Sequence, residues 1–344
     1  TLATTALTIY YAGPEPYAAV LILVGAPMLV VILHALRSGS VPALVAGGLF
    51  LGVSATFYTL FTGLFALTAI LMAVWLVADA LRTAANAAVP AGQVRRQRVR
   101  ATRAVVVRLL GMGVLSGLVA LLVWAPYLWA RLRSQPASGG TAEHYLPSSG
   151  ATLPLPMLQL NLIGVLCAIG LVWIVLRIRT RTVALALGVT TVAIYLFCLL
   201  SMAVTAIGTT LLAFRLEPLL AVVLGAAGVF GVVELARLLV DRLGDVRFGI
   251  AVLGVIGAIG VAQGIPSHLS NEITTAYTDT DGNGIRADKR PPGAESYFPR
   301  IDELVRQQTG RPRDDTVVLT ADYGFLSIFP YWGFQGLTSH YANP

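Results

Sequence analysis

The side chains best suited to chemistry are few and far apart. Arg215 and Glu217 are expected in a short outer loop, Leu211 to Pro218, between two apolar runs. A guanidinium fork matches the oxygens of a phosphate, so Arg215 is expected to hold the phosphate of a lipid arriving sideways from a bilayer, with Glu217 orienting it. The competing reading is an arginine at the hydrocarbon edge that snorkels to the surface. His144 lies beside Tyr145 in the connection Arg131 to Pro156, rich in Pro, Ser and Gly. A histidine there can relay a proton or bond a phosphate, or can be a plain surface group. Asp279-Thr280-Asp281-Gly282-Asn283-Gly284 begins as a calcium loop begins, but Arg290 stands at the twelfth position, where a bidentate glutamate is needed. Asp279 and Asp281 also form an Asp-x-Asp pair able to hold a divalent cation, and the same run reads as an Asx-stabilised turn. Asp322 follows an expected strand, where α/β folds expose functional side chains, or it caps that strand end. Glu15, between Pro14 and Pro16, and His340 complete the polar candidates. No Ser-His-Asp order, no His/Cys metal-ligand cluster and no Walker loop is present in the sequence, so no cofactor is implied beyond a divalent cation at Asp279 and Asp281.

These residues are embedded in a chain whose main solvent is lipid. Of its 344 residues 56% are hydrophobic and 12% charged, and the mean hydropathy is +0.76. A helix needs roughly 20 largely apolar residues to cross a hydrocarbon core of about 30 Å. Spans are expected at Tyr17 to Leu36, Val41 to Tyr58, Leu60 to Ala78, Ala104 to Ala130, Met157 to Leu176, Val183 to Met202, Pro218 to Leu238 and Phe248 to Gly264. Thr56 to Thr59 is the natural hairpin within the long run from Val41 to Ala78. Thr1 to Tyr11 is too short to span and reads as the tail of an interrupted helix. The net charge of +7 does not point to nucleic acid, because the arginines sit in short clusters between apolar runs. Arg37, the run Arg95 to Arg103, Arg177 to Arg181, and Arg237, Arg242 and Arg247 fit cytoplasmic connections along one alternating path. That path puts Glu15, His144, Arg215 and everything after Gly264 outside.

Trp124, Tyr127, Trp129, Trp75 and Trp173 lie near predicted helix ends, as interfacial aromatics do. Glycines at 225, 228 and 231, and at 254, 257, 260 and 264, are expected to let helices approach closely. Cys167 and Cys198 fall inside apolar runs and read as buried thiols. After Gly264 the composition turns polar. Ile301, Leu304 and Val305 repeat at helical spacing, Gly310 stands as a stop, and Thr316 to Thr320 reads as a strand. The expected architecture is thus an all-α polytopic membrane domain over 1–264. The start of an extracytoplasmic α/β domain over 265–344 follows it and is expected to continue beyond Pro344.

Several strings are more distinctive than these patterns. Pro14-Glu15-Pro16-Tyr17-Ala18-Ala19, His144-Tyr145-Leu146-Pro147, Pro156-Met157-Leu158-Gln159, Val317-Val318-Leu319-Thr320-Ala321-Asp322-Tyr323, Tyr331-Trp332-Gly333-Phe334-Gln335 and His340-Tyr341-Ala342-Asn343-Pro344 span the chain. By them it resembles the galactan arabinofuranosyltransferases of mycolate-making actinobacteria. The resemblance implies a GT-C type fold in the cell membrane, decaprenyl-phosphoryl-arabinofuranose as donor and lipid-linked cell-wall galactan as acceptor. It implies transfer to a galactose 5-hydroxyl that primes arabinogalactan synthesis, with a catalytic carboxylate expected upstream of Thr1. Replacing a β-linked lipid phosphate to give an α-linkage is an inversion. That step needs one carboxylate to take the acceptor proton and a positive group for the leaving phosphate. The alternatives are a GT-C transferase for another polyprenyl-phosphate sugar, or a lipid-linked sugar transporter. A transporter would be expected to carry charged or broken midplane helices and internal repeats, and the sequence has neither.

Overall fold

The structure is a computed structural model that describes residues 2–12, 16–86, 91–133, 151–244, 246–277, 293–320 and 322–335. The chain divides into two compact units, Thr1–Ile265 and Pro266–Pro344.

The first unit is helical, as it must be where lipid offers the backbone no hydrogen-bond partners. Its elements are α1 (Leu2–Ala12), α2 (Pro16–Ser38), α3 (Val41–Phe57), α4 (Thr59–Asn86), α5 (Ala91–Arg133), α6 (Leu162–Arg177), α7 (Thr182–Thr205), α8 (Glu217–Leu243) and α9 (Arg247–His268). Six of these (α2, α4, α5, α7, α8 and α9) are long and apolar enough to cross a membrane. Every expected span overlaps a helix, but the one expected from Met157 begins only at Leu162, after a 3-10 turn at Pro156–Leu158. Two of them, α3 with 17 residues and α6 with 16, fall short of the length that defines the other six. The α3–α4 break falls at Tyr58, whose extended backbone interrupts the run. Ser54 Oγ and Thr62 Oγ1, 2.9 Å apart, staple the hairpin.

Three expectations are corrected. The arginines from Arg95 to Arg103 do not lie in a connection but on α5, which runs unbroken for 43 residues. Nothing from Gln93 to Leu110 is Gly or Pro, and Arg, Gln, Ala and Val all continue a helix. Leu211 to Pro218 is not an open loop: Ala213–Leu216 is a 3-10 turn leading straight into α8. Trp173, near the end of α6 as expected, is buried among helices and not turned outward as an anchor, stacked on Phe230 at 5.3 Å and donating to Glu234 Oε2 at 2.8 Å, where Glu234 also pairs with Arg177.

The core lies among α1, α2, α4, α6, α7 and α8, with Phe61, Phe65, Leu29 and Leu33 fully enclosed. The tightest seam joins α6 to α8. A Cβ on Gly170 would lie 2.0 Å from the Leu224 carbonyl oxygen, and one on Gly228 would lie 2.2 Å from that of Leu166. The α8 glycines therefore serve close approach. Those of α9 mostly differ: Gly254, Gly257 and Gly264 have nothing within 4 Å, and a Cβ on Gly260 would meet only the Leu162 side chain, at 2.9 Å. α1 packs into this core, with Leu7 buried against the Gly225 position.

The second unit holds α10 (Ser270–Ala276), α11 (Phe298–Thr309), β1 (Val317–Thr320), α12 (Tyr323–Ile328) and β2 (Trp332–Gln335). α11 stops at Gly310, whose φ of +62° suits a residue without Cβ. β1 and β2 pair in parallel, with Val317 opposite Trp332, and α12 makes the crossover between them. A small aromatic core of Phe298, Phe325 and Tyr331 sits beneath, the last two rings stacked at 5.6 Å.

Candidate functional site

Because the helices alternate in direction, one end of the bundle collects the C-termini of α1, α3 and α7 with the N-termini of α2, α4, α6 and α8. Arg215 is fixed there by the connection from α7. Ser201 Oγ, fully buried, accepts from the Leu211 amide at 3.3 Å, and Thr210 Oγ1, equally buried, accepts from the Leu212 amide at 3.1 Å. Leu212 is forced to a φ of +55°, the one non-glycine residue in the left-handed region among the described residues. That turn drives Ala213 and Leu216 into the core and leaves Phe214 and Arg215 half-buried. The Arg215 guanidinium lies 5.5 Å from the Phe214 ring centre and 5.7 Å from that of Tyr58, at the α3–α4 break. Aromatic faces attract a cation and hold its fork in one plane. The start of α8 immediately follows, so its unsatisfied amides add positive potential beside the guanidinium.

Glu217 is the acidic residue of the first turn of α8. Among the described residues no hydrogen bond or ion pair joins it to Arg215. Its electrostatic neighbour is Tyr11, at the end of α1. The Tyr11 hydroxyl bonds Gln159 Oε1 at 3.4 Å, and the same oxygen accepts from Asn161 at 3.3 Å. Asn161 in turn caps α6, accepting from the Gly164 amide at 2.7 Å. Tyr11, Tyr58 and Gln159 thus share this polar end with Arg215 and Glu217. None of the three stood out in sequence as a site residue. The only signal was that Gln159 lies in one distinctive string and Tyr58 in the expected hairpin.

Asp322 belongs to the second unit. It caps α12, with Oδ1 accepting from the Gly324 amide at 2.8 Å. It stands at the rim of a largely apolar cavity of about 610 Å³, lined also by Tyr297, Phe298, Ile301 and Phe325. The charged centre of that unit went unnoticed in sequence. Asp302, buried on α11, receives two bonds from Arg313, at 2.6 and 2.7 Å, and one from the Tyr331 hydroxyl at 2.7 Å. Chiefly the Arg313 bonds hold the Asp302 carboxyl below the usual carboxylate range. Glu15, His144, Asp279, Asp281 and His340 lie outside the described residues. Among the described residues no three His, Cys, Asp or Glu side chains gather as metal ligands. Cys167 and Cys198 are buried free thiols.

Residues 1–262 match the family described as Arabinofuranosyltransferase N terminal, and residues 265–344 match Arabinofuranosyltransferase A C terminal. All of the chain aligns with the galactan 5-O-arabinofuranosyltransferase of Mycolicibacterium smegmatis at 47% identity, covering 53% of that protein. The proteins of the same name from Mycobacterium tuberculosis and Corynebacterium glutamicum are 46% and 36% identical, with 52% and 50% of their lengths covered. The chain spans about half the length of the curated relatives it matches. With both matches together accounting for nearly every residue, this chain belongs to the arabinofuranosyltransferase family.

Proposed function

We propose that the full-length protein transfers an arabinofuranosyl residue from decaprenyl-phosphoryl-arabinofuranose to the 5-hydroxyl of galactofuranose in lipid-linked cell-wall galactan, with inversion. In this reading residues 1–264 form the multi-pass, GT-C type membrane part in the cell membrane. Residues 265–344 belong to an extracytoplasmic α/β domain. The α7–α8 connection carrying Arg215 lies at the outer membrane surface.

The observation that carries the reading is the placement of Arg215: a guanidinium held between two aromatic rings, at the start of a long helix, where a bundle of apolar helices ends. A polyprenyl phosphate presents its anionic group at that depth while its tail stays in hydrocarbon. Arg215 binds the phosphate and stabilises the charge that grows on it as the glycosidic bond breaks. Phosphate leaves readily, so no general acid is needed. Glu217 and Tyr11, a few side chains away, offer hydroxyl-binding groups for a sugar. A divalent cation, if used, would be held by Asp279 and Asp281.

The test is transfer of radiolabelled arabinose from decaprenyl-phosphoryl-arabinose to a galactan acceptor by membranes carrying the full-length protein. Arg215→Ala is expected to lower transfer by about a hundredfold or more, with Arg215→Lys intermediate and both variants accumulating normally. An Arg215→Ala protein as active as the parent removes the phosphate role. A parent inactive on this donor and acceptor removes the substrate assignment.

A further inference from the structure

The opposite end of the bundle carries a feature the proposed transfer does not use. α5 extends roughly 65 Å, about twice the hydrocarbon thickness, and its first turns carry Arg95, Arg96, Arg98, Arg100 and Arg103. No Asp or Glu occurs anywhere on α5. Among the described residues the side chains of these five arginines make no hydrogen bond or ion pair, and the Nε of half-buried Arg98 is enclosed without a partner. On the adjoining α4 the only carboxylate, Asp79, is offset by Arg82 three residues on.

Directly beside this charge is an apolar cleft of about 430 Å³ between α4 and α5. It runs from Ile70 to Leu81 along α4, facing Thr102, Val105 and Leu109 of α5. The eleven helical steps from Ile70 to Leu81 rise about 17 Å, which is close to the depth of one leaflet, half of a core of about 30 Å. Arg98 precedes Thr102 by four residues and Val105 by seven, and Arg95 precedes Thr102 by seven. Both arginines therefore share the cleft's face of α5, one and two turns above its mouth. Charges that serve only to orient a helix have no need of an apolar slot in line with them.

The geometry points to a binding site for an anionic phospholipid of the surrounding membrane, with an acyl chain in the α4–α5 cleft and its headgroup phosphate at Arg95 and Arg98. The wider stripe of Arg96, Arg100 and Arg103, which share one ridge at i, i+4 and i+7, draws anionic lipid toward the site. The site is independent of the proposed transfer, since it lies at the end of the bundle away from Arg215.

Native mass spectrometry of the purified full-length protein tests this with phosphatidylglycerol, phosphatidylcholine and glycerol phosphate as probes. Phosphatidylglycerol is expected to be retained at least about tenfold better than phosphatidylcholine, and glycerol phosphate not at all. The Arg95→Gln/Arg98→Gln double variant is expected to lower phosphatidylglycerol to the phosphatidylcholine level. Arg131→Gln, at the other end of α5, is expected to leave it unchanged. Val77→Trp, which fills the cleft and leaves every charge in place, is expected to weaken retention as well. Equal retention of the two lipids, displacement by glycerol phosphate, or a double variant that binds as the parent does would overturn the proposal. Arg95→Lys/Arg98→Lys keeps the charge and is expected to restore most of the binding, which separates charge loss from misfolding.

Discussion

α8 and α9 are written in nearly the same alphabet, long apolar helices with glycines every three or four residues, yet they meet opposite surroundings. On α8 the glycine at 228 has the α6 backbone against it, and Gly170 of α6 answers from the other side. On α9 the helix buries no residue at all. Glycine spacing therefore permits close approach without producing it; what decides is whether a neighbouring helix presents a matching small residue. The sharpest way to break this comparison is to place the same side chain in both settings. Gly170→Leu drives Cβ into the Leu224 carbonyl and is expected to cost about 3 kcal/mol or more, seen as loss of folded protein in a detergent melt. Gly257→Leu on α9 is expected to stay within about 0.5 kcal/mol, and an equal loss at both positions would dissolve the distinction.

Aspartates in the second unit give the same lesson with charge. Asp302 is enclosed by Arg313 and Tyr331, whereas Asp322 is exposed and accepts from the Gly324 amide two residues on. Asp302→Ala leaves the Arg313 guanidinium without its carboxylate and is expected to cost the unit about 2 kcal/mol. The measurement is faster hydrogen exchange at the Val317–Thr320 amides in the full-length protein. The carboxyl's folded pKa is depressed, so its contribution is fully present above the ordinary carboxylate value of about 3.9 and is lost as pH falls through the lower folded value. The protection factors of the β1 amides, taken against intrinsic exchange at each pH, should therefore be flat from neutral pH down to about 5, then fall in acid. Asp302→Ala should abolish that acid-dependent fall.

Much of the membrane unit was legible because hydropathy is a local property and lipid demands helices. Each expected span has its helix, and the break at Tyr58 and the stop at Gly310 stand where chain chemistry put them. Contacts between distant segments were not legible. The Tyr11–Gln159 bond joins residues 148 apart, and neither side chain differs in sequence from any other tyrosine or glutamine. Asp302 read as one more polar residue on an amphipathic helix, since its meaning depends on Arg313 and Tyr331 arriving from beyond the turn. The basic run on α5 misled because arginine marks the end of the hydrocarbon region and does not end a helix. Arg215 was picked out as a candidate by type and place, but the Tyr58 and Phe214 rings beside it needed the fold.

The smallest expected effect separates structure from chemistry at Asp322. As the cap of α12 its oxygen satisfies one otherwise orphaned amide, and removing it in Asp322→Ala should cost about 1 kcal/mol. Asparagine caps as well as aspartate does, so Asp322→Asn should change stability by no more than a few tenths of a kcal/mol. If capping is all that Asp322 does, the full-length asparagine protein matches its parent in the proposed transfer while the alanine protein exchanges faster around α12. If the carboxylate also serves the reaction from the rim of its cavity, Asp322→Asn loses activity with exchange unchanged. An exposed aspartate would then differ from Asp302 by carrying chemistry as well as by lacking a partner.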